Sequence, residues 1–123
     1  RVAASVPSLR GPWDAVTVVH RDLYEEQVLL GDRVGLIDLD DVALGPPELD
    51  VGNLLAHLDL LELRAGRDLG AGRTAFLEGY GSVAKLDPEL LERCRVLARL
   101  RLACIHGEPR LLDGEGDTAP ESA

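Results

Sequence analysis

The segment His20–Gln27, HRDLYEEQ, followed directly by Val28–Asp41, VLLGDRVGLIDLDD, decides how this chain folds. Two short, mostly apolar runs in the second segment flank Gly31-Asp32-Arg33, which is a turn signal. The pattern predicts a tight antiparallel β-hairpin. Gln27 and Asp38 flank its open end, so we expect their side-chain oxygens to converge within about 6 Å, a separation that one hexacoordinate ion can bridge.

Three side chains around this hairpin suit phosphoryl transfer. Asp22, on the loop before it, could accept or orient the proton of an attacking hydroxyl. Gln27 and Asp38 offer the oxygen ligands that Mg²⁺ prefers. Each has a plainer alternative, because a loop aspartate often makes a local turn bond and Gln27 could be a strand-end residue facing solvent.

The order of these residues resembles a known pattern. His20-Arg21-Asp22 with Gln27 is similar to the catalytic loop H-R-D-x-x-x-x-N of kinases, with glutamine in place of asparagine. The continuation over residues 37–55 reads I-D-x-x-D…G-x-P-x-x-D-x-x-x-x-L. Over roughly residues 16–62 the chain therefore resembles the aminoglycoside phosphotransferase family. A protein kinase is disfavoured, because D-F-G and A-P-E are missing.

The resemblance implies an ATP- or GTP-dependent enzyme that phosphorylates a hydroxyl of a small molecule. It implies that Asp22 is catalytic and that Gln27 and Asp38 hold Mg²⁺. It also implies that His20 holds the loop through bonds to the backbone, and that Asp50 bonds the backbone of the catalytic loop. A non-catalytic regulatory or binding module, derived from such a lobe, is the alternative from another class.

Other polar residues leave their roles open. Asp40 and Asp41 could reach metal-bound water or a substrate amine or hydroxyl, or could be solvated loop acids. Arg21 could pair with the acidic loop or with a distant aspartate. His57 reads as a partly buried helix residue, and no histidine has the spacing of a zinc ligand pair. The serines lack a G-x-S-x-G nucleophile elbow.

The fold class expected is α+β, similar to the C-terminal lobe of a kinase, with a small hairpin packed on about three helices. Val16–Val19 predicts a further strand. Apolar spacing predicts helices from Glu48 to near Gly66, from about Ala71 to Tyr80 with Ala75, Phe76 and Tyr80 inward, and from Pro88 to His106. Asp87 would cap the third helix and Gly107 would end it. Cys94 and Cys104 are expected in the core.

We expect residues 1–112 to be a catalytic lobe and residues 113–123 to be a disordered acidic tail. Neither a glycine-rich phosphate loop nor a strand lysine is recognisable, and Lys85 is the only lysine. An N-terminal lobe that grips the nucleotide is therefore an expected partner. It would dock on an apolar surface near residues 1–15.

The charge and hydropathy of the chain exclude some classes. A net charge of −9 disfavours nucleic acid and anionic membrane surfaces, both of which select for Lys and Arg. No apolar run approaches the roughly 20 residues of a membrane span. Cys94 and Cys104, ten residues apart on one helix, would lie about 15 Å apart, too far for a disulfide. A reduced, cytoplasmic protein is expected.

Overall fold

The computed structural model describes residues 16–113, so the lead-in at 1–15 and the tail at 114–123 lie outside the described residues. The strands are β1 (Thr17–Val19), β2 (Val28–Leu30), β3 (Val34–Leu36) and β4 (Ala43–Gly45). The α-helices are α1 (Pro47–Ala65), α2 (Gly70–Gly81) and α3 (Pro88–His106), and short 3-10 helices span Glu25–Gln27 and Pro109–Leu112. The expected α+β architecture is confirmed. No helix of residues 16–113 has the length and apolar character that crossing a membrane requires.

The strands form two separate antiparallel ribbons. The hairpin that the sequence predicts is present, with Leu29 of β2 opposite Gly35 of β3. In the other ribbon β1 pairs with β4, and Val18 lies opposite Leu44. The sequence does not predict β4. Gln27, for which a place at the strand end was an alternative, belongs to the 3-10 helix that precedes β2.

The predicted helix ends are confirmed. The side chain of Asp87 accepts hydrogen bonds from the backbone N–H groups of Glu89 and Leu90, and it caps α3. Gly66 and Gly107 follow α1 and α3 with φ values of 65° and 62°. In this left-handed conformation glycine avoids the steric strain that a side chain would meet, so both helices end where the glycines stand.

Helices α1 and α3 pack against each other and enclose the core. Its buried members are Ala56, Leu60, Ala98, Leu102, Ala103 and Leu111. A Cβ atom at Gly52 would lie 2.7 Å from the Cβ of Cys94, so the two helices touch there backbone to backbone. Cys94 is buried as expected, but the expectation for Cys104 is wrong, because Cys104 is exposed. Ten residues at about 100° each turn Cys104 away from the face that carries Cys94.

Helix α2 is attached differently, because it contributes no buried residue. Phe76 and Tyr80 are half-buried and pack ring against ring, whereas Ala75, expected on the inner side, is exposed. The main polar attachment of α2 is Arg73, whose guanidinium pairs with Asp59 and Glu62 of α1.

Asp59 is the centre of a buried ion cluster that sequence patterns do not predict. Its carboxylate pairs with Arg73 of α2 at 2.9 Å and with Arg95 and Arg99 of α3, each at 2.8 Å. Arg99 also donates to the carbonyl of Leu111. A buried carboxylate needs such partners, because an unpaired buried charge is strongly destabilising. The cluster joins all three helices.

Candidate active site

Asp50, buried in the first turn of α1, holds the loop that carries His20, Arg21 and Asp22. Its two carboxylate oxygens accept the backbone N–H groups of His20 at 2.8 Å and of Arg21 at 2.9 Å. Arg21 has a φ of 78°, in the left-handed region that an arginine rarely adopts. The bonds from Asp50 fix the backbone in this conformation, and the N-terminus of α1 favours the carboxylate charge.

The buried imidazole of His20 joins this loop to the hairpin. Its Nδ1 accepts the backbone N–H of Asp22 at 3.1 Å, so the ring proton stands on Nε2. Nε2 then donates to the carbonyl oxygen of Ile37 at 2.8 Å. One neutral ring therefore ties Asp22 to the residue that precedes Asp38.

Asn53, a residue that sequence patterns do not single out, also supports the loop. Its side-chain amide donates to the carbonyl of Leu23 at 2.8 Å, and its Oδ1 accepts from Arg101 of α3 at 2.9 Å. Its position in the sequence could have predicted this role, because a residue three positions after Asp50 lies on the same helix face. Helix α1 thus holds the loop on both sides of Asp22.

Gln27 and Asp38 meet beside the open end of the hairpin. The amide nitrogen of Gln27 lies 3.1 Å from a carboxylate oxygen of Asp38, and the backbone N–H of Ile37 donates to the Gln27 carbonyl at 3.0 Å. The predicted convergence of these two side chains is therefore confirmed. Gln27 is buried, whereas Asp38 is exposed and has a φ of 62°.

The same pair is the group that could hold a metal ion. Within residues 16–113 no cluster of three or more His, Cys, Asp or Glu side chains suits one. Mg²⁺ needs fewer protein ligands when phosphate oxygens and waters complete its shell, and the exposure of Asp38 leaves room for both. Asp40 and Asp41 are exposed on the following loop, and their side chains bond no other residue of the described part.

Asp22 is half-buried and lies at an open cleft of about 470 Å³ between the loop, α1 and the end of α3. The other residues that line this acceptor-side cleft are Tyr24, Glu25, Glu26, His57, Leu60, Leu61, Arg64, Arg101, Leu102, Ile105 and His106. The rings of Tyr24 and His57 stack, with centroids 4.6 Å apart and planes inclined by 21°. Aromatic and apolar walls with a few polar groups are typical of a small-molecule site.

Different neighbouring charges shift the pKa values of the two stacked rings. Burial and then the guanidinium of Arg101 lower the pKa of His57 to about 4, so its ring is neutral near pH 7. Removal from water and then the carboxylates of Glu26 and Asp22 raise the pKa of Tyr24. Both shifts favour the uncharged form of the ring.

Arg21, which is exposed, lines a second, smaller cleft of about 240 Å³ together with Asn53, Cys94 and Arg101. Its side chain forms no ion pair with any residue between 16 and 113. The sequence left open a pairing of Arg21 with the acidic loop or with a distant aspartate, and neither ion pair is present among these residues. Burial raises the pKa of the Cys94 thiol to about 11, so this cysteine is a core residue and not a nucleophile.

Comparison with known proteins agrees with this geometry. No curated protein and no solved structure matches the chain. A family model does, over residues 2–97, which include the His20–Gln27 loop, both ribbons, α1 and α2. That model describes the APH phosphotransferase enzyme family, and the chain belongs to this family.

Proposed function

We propose that the protein transfers the γ-phosphoryl group of ATP or GTP to a hydroxyl of a small molecule. The observation that carries the proposal is that His20 makes two hydrogen bonds, one to the backbone of Asp22 and one to the backbone of Ile37. It gives the acid at the acceptor-side cleft a fixed position relative to Asp38. Phosphoryl transfer depends on such positioning of acceptor and donor groups.

Asp22 would accept or orient the proton of the attacking hydroxyl at its carboxylate. Asp38 and Gln27 would hold Mg²⁺, which neutralises phosphate charge when it is bound. The two side chains are in contact through the amide nitrogen of Gln27, so a half-turn of this amide would present its oxygen beside the Asp38 carboxylate, an oxygen donor set of the kind that this ion takes. His20 and Asp50 are positioning residues in this proposal. Asp40 and Asp41 remain candidates for contacts to metal-bound water or to the substrate.

The donor side of the reaction requires further residues. Lys85, the only lysine of the chain, lies between α2 and α3, not on a strand. We therefore propose a separate nucleotide-binding lobe as a partner. The two ribbons, with Val16 just before β1, expose apolar side chains that such a lobe would cover, namely Val16, Val18, Leu29, Leu30, Val34, Leu36 and Leu44. The docking surface expected near residues 1–15 lies outside the described residues.

The test compares Asp22→Asn with Asp32→Asn in the complete enzyme. Asp32 lies exposed in the turn between β2 and β3 and bonds no other residue of the described part, which makes it a matched control. With Mg²⁺ and labelled ATP or GTP, Asp22→Asn should lower kcat by about 10²–10⁴ and leave nucleotide affinity within a few-fold. Retention of more than half the wild-type kcat would remove Asp22 from the mechanism.

A non-catalytic binding or regulatory module is the second candidate. The observation that favours it is that the amide of Gln27 faces Asp38 with its nitrogen, as a donor, instead of offering the oxygen that a metal ion needs. In that case Asp38→Asn would leave the Mg²⁺ dependence of nucleotide binding unchanged. A weaker Mg²⁺ dependence in Asp38→Asn, with Asp32→Asn as control, would support the enzyme.

A further inference from the structure

The acceptor-side cleft has opposite charges at its two ends. The acidic end consists of Asp22, Glu25 and Glu26, and the basic end consists of Arg64, Arg101 and His106. The two stacked rings come from the elements that carry the two ends. Tyr24 belongs to the loop of the three acids, whereas His57 belongs to α1, the helix that also carries Arg64.

The two arginines of the basic end retain hydrogen-bond donors that could bind a ligand. Arg101 donates to Asn53 through one nitrogen, and Arg64 reaches the carbonyl of His106 only at 3.5 Å. A guanidinium has five N–H groups, so most donors of both arginines stay available. Neither arginine forms an ion pair with a carboxylate between residues 16 and 113.

Two polar atoms of this cleft also lack partners. Oε1 of Glu25 and Nε2 of His57 are buried, and neither has a hydrogen-bond partner in the part of the chain that the structure describes. Buried polar atoms nearly always have a hydrogen-bond partner, so two such atoms without one in the same cleft point to a ligand or an ordered water. An ammonium group would satisfy the Glu25 carboxylate, and a hydroxyl or amide would satisfy the neutral His57.

Leu61 and Ile105, both exposed, add an apolar surface to the lining of the cleft, whereas Leu60 and Leu102 belong to the core beneath it. We infer that the acceptor is a hydroxylated zwitterion whose hydroxyl and ammonium groups lie at the acidic end, whose apolar body lies on Leu61 and Ile105, and whose carboxylate lies at the basic end. This inference rests on the proposed function, because Asp22 identifies the end where the hydroxyl reacts. A polycation would meet the two arginines and is disfavoured.

Binding of three matched probes, without nucleotide, tests the charge pattern. The probes are the dipeptide Ser-Leu, its N-acetyl derivative, which lacks the ammonium, and its C-terminal amide, which lacks the carboxylate. By calorimetry or NMR titration, Ser-Leu should bind at least about ten-fold tighter than either derivative, because each lost charge removes a charge-assisted hydrogen bond. Equal or tighter binding of the amide, or a Kd above about 10 mM for all three probes, would overturn the inference.

Single substitutions assign the two ends. Arg64→Gln should abolish the preference for Ser-Leu over the amide, and Glu25→Gln should abolish the preference over the N-acetyl derivative. Arg101→Gln should act like Arg64→Gln, but it also removes a bond to Asn53, so Arg64→Gln is the decisive variant. Arg33→Gln, in the hairpin turn, is the matched control and should change neither preference. Preferences that persist in Arg64→Gln and Glu25→Gln would contradict the assignment.

The proposed function and this inference fail separately. If Ser-Leu binds with the expected charge pattern, while Asp22→Asn leaves phosphoryl transfer to every hydroxyl compound unchanged, the cleft is assigned and the proposed function fails. If a neutral or polycationic hydroxyl compound is phosphorylated in a manner that depends on Asp22, the function stands and the zwitterion inference is wrong.

Discussion

The Nε2 atom of His20 lies 2.8 Å from the carbonyl oxygen of Ile37, so one side chain connects the loop of Asp22 with the end of the hairpin. These residues are 17 positions apart in the chain. The contact is buried on the histidine side, where a lost hydrogen bond is not replaced by water. Its removal should therefore affect stability and the relative position of Asp22 and Asp38 together.

His20→Phe keeps an aromatic ring and removes both hydrogen bonds. We expect the free energy of unfolding to fall by about 1–3 kcal/mol, because the N–H of Asp22 and the carbonyl of Ile37 lose their partner. We also expect kcat to fall at least about ten-fold, because the two acids lose their fixed relation. Urea unfolding and steady-state kinetics measure the two effects. His106→Phe, at the exposed end of α3, is the stability control, and equal midpoints for both variants would contradict the prediction.

Gly52→Ala tests the close contact between α1 and α3. A methyl group there would meet the Cβ of Cys94 at 2.7 Å and the backbone nitrogen of Arg95 at 2.8 Å, so the helices must separate. We expect a loss of about 1–3 kcal/mol in the free energy of unfolding. The matched control is Gly79→Ala in α2, where nothing lies within 4 Å of the added atom. That change should stabilise the helix by about 0.5–1 kcal/mol, and a Gly52→Ala variant as stable as the control would refute the close packing.

His57 should make stability depend on pH. Its pKa is about 4 in the folded protein, against about 6.5 in an unfolded chain. Between these values the unfolded state binds more protons, so the contribution is complete above about pH 6.5 and is lost as the pH falls towards about 4. Because the ring is only partly buried, we expect a loss on the order of 1–2 kcal/mol.

Urea unfolding at several pH values between 4 and 7 measures this contribution in wild type and in His57→Phe, which keeps a ring against Tyr24. The carboxylates also contribute to acid sensitivity, so the informative quantity is the difference between the two curves. His106→Phe, which removes an exposed histidine, should follow wild type. A His57→Phe curve parallel to wild type would show that this ring does not titrate as described.

Nucleotide affinity of the 123-residue chain tests the need for a second lobe. The described residues supply Asp22, Gln27 and Asp38, and the net charge of −9 repels a nucleotide that carries no metal. We expect a Kd for ATP with Mg²⁺ no tighter than about 1 mM, a free energy of about −4 kcal/mol, and no turnover. Calorimetric titration decides the matter. Micromolar binding by this chain alone would mean that it already contains the donor side.

The features predicted from sequence are those set by neighbours in the chain. The hairpin follows from two apolar runs around Gly31-Asp32-Arg33, and it brings Gln27 to Asp38 because its strands are adjacent in sequence. The ends of α3 follow from a capping aspartate at 87 and a glycine at 107, whose effects act within one helical turn. Of the site residues in the motif, Gln27 and Asp38 lie at the end of this hairpin. The loop of His20 and Asp22 is instead held by Asp50 of α1, a contact between distant parts of the chain.

The features not predicted depend on residues far apart. β4 pairs with β1 across about 25 positions, and Ala43–Gly45 has no alternating pattern that announces a strand. Asp59 looks like any polar residue of a helix, yet three arginines from two other helices surround it. The stacking of Tyr24 on His57 likewise follows from the tertiary fold. Such contacts are seen only in the tertiary structure.

Helix α2, without a buried residue of its own, should behave as a separate cooperative unit of opening. Its amide hydrogens should exchange with solvent at free energies well below that of global unfolding, whereas those of α1 and α3 exchange only with the whole fold. Since Arg73 anchors α2 through ion pairs, added salt should accelerate this exchange. A protease that cuts locally opened segments would then make its first cut within residues 67–84, and the remaining fold would keep the loop of Asp22 intact.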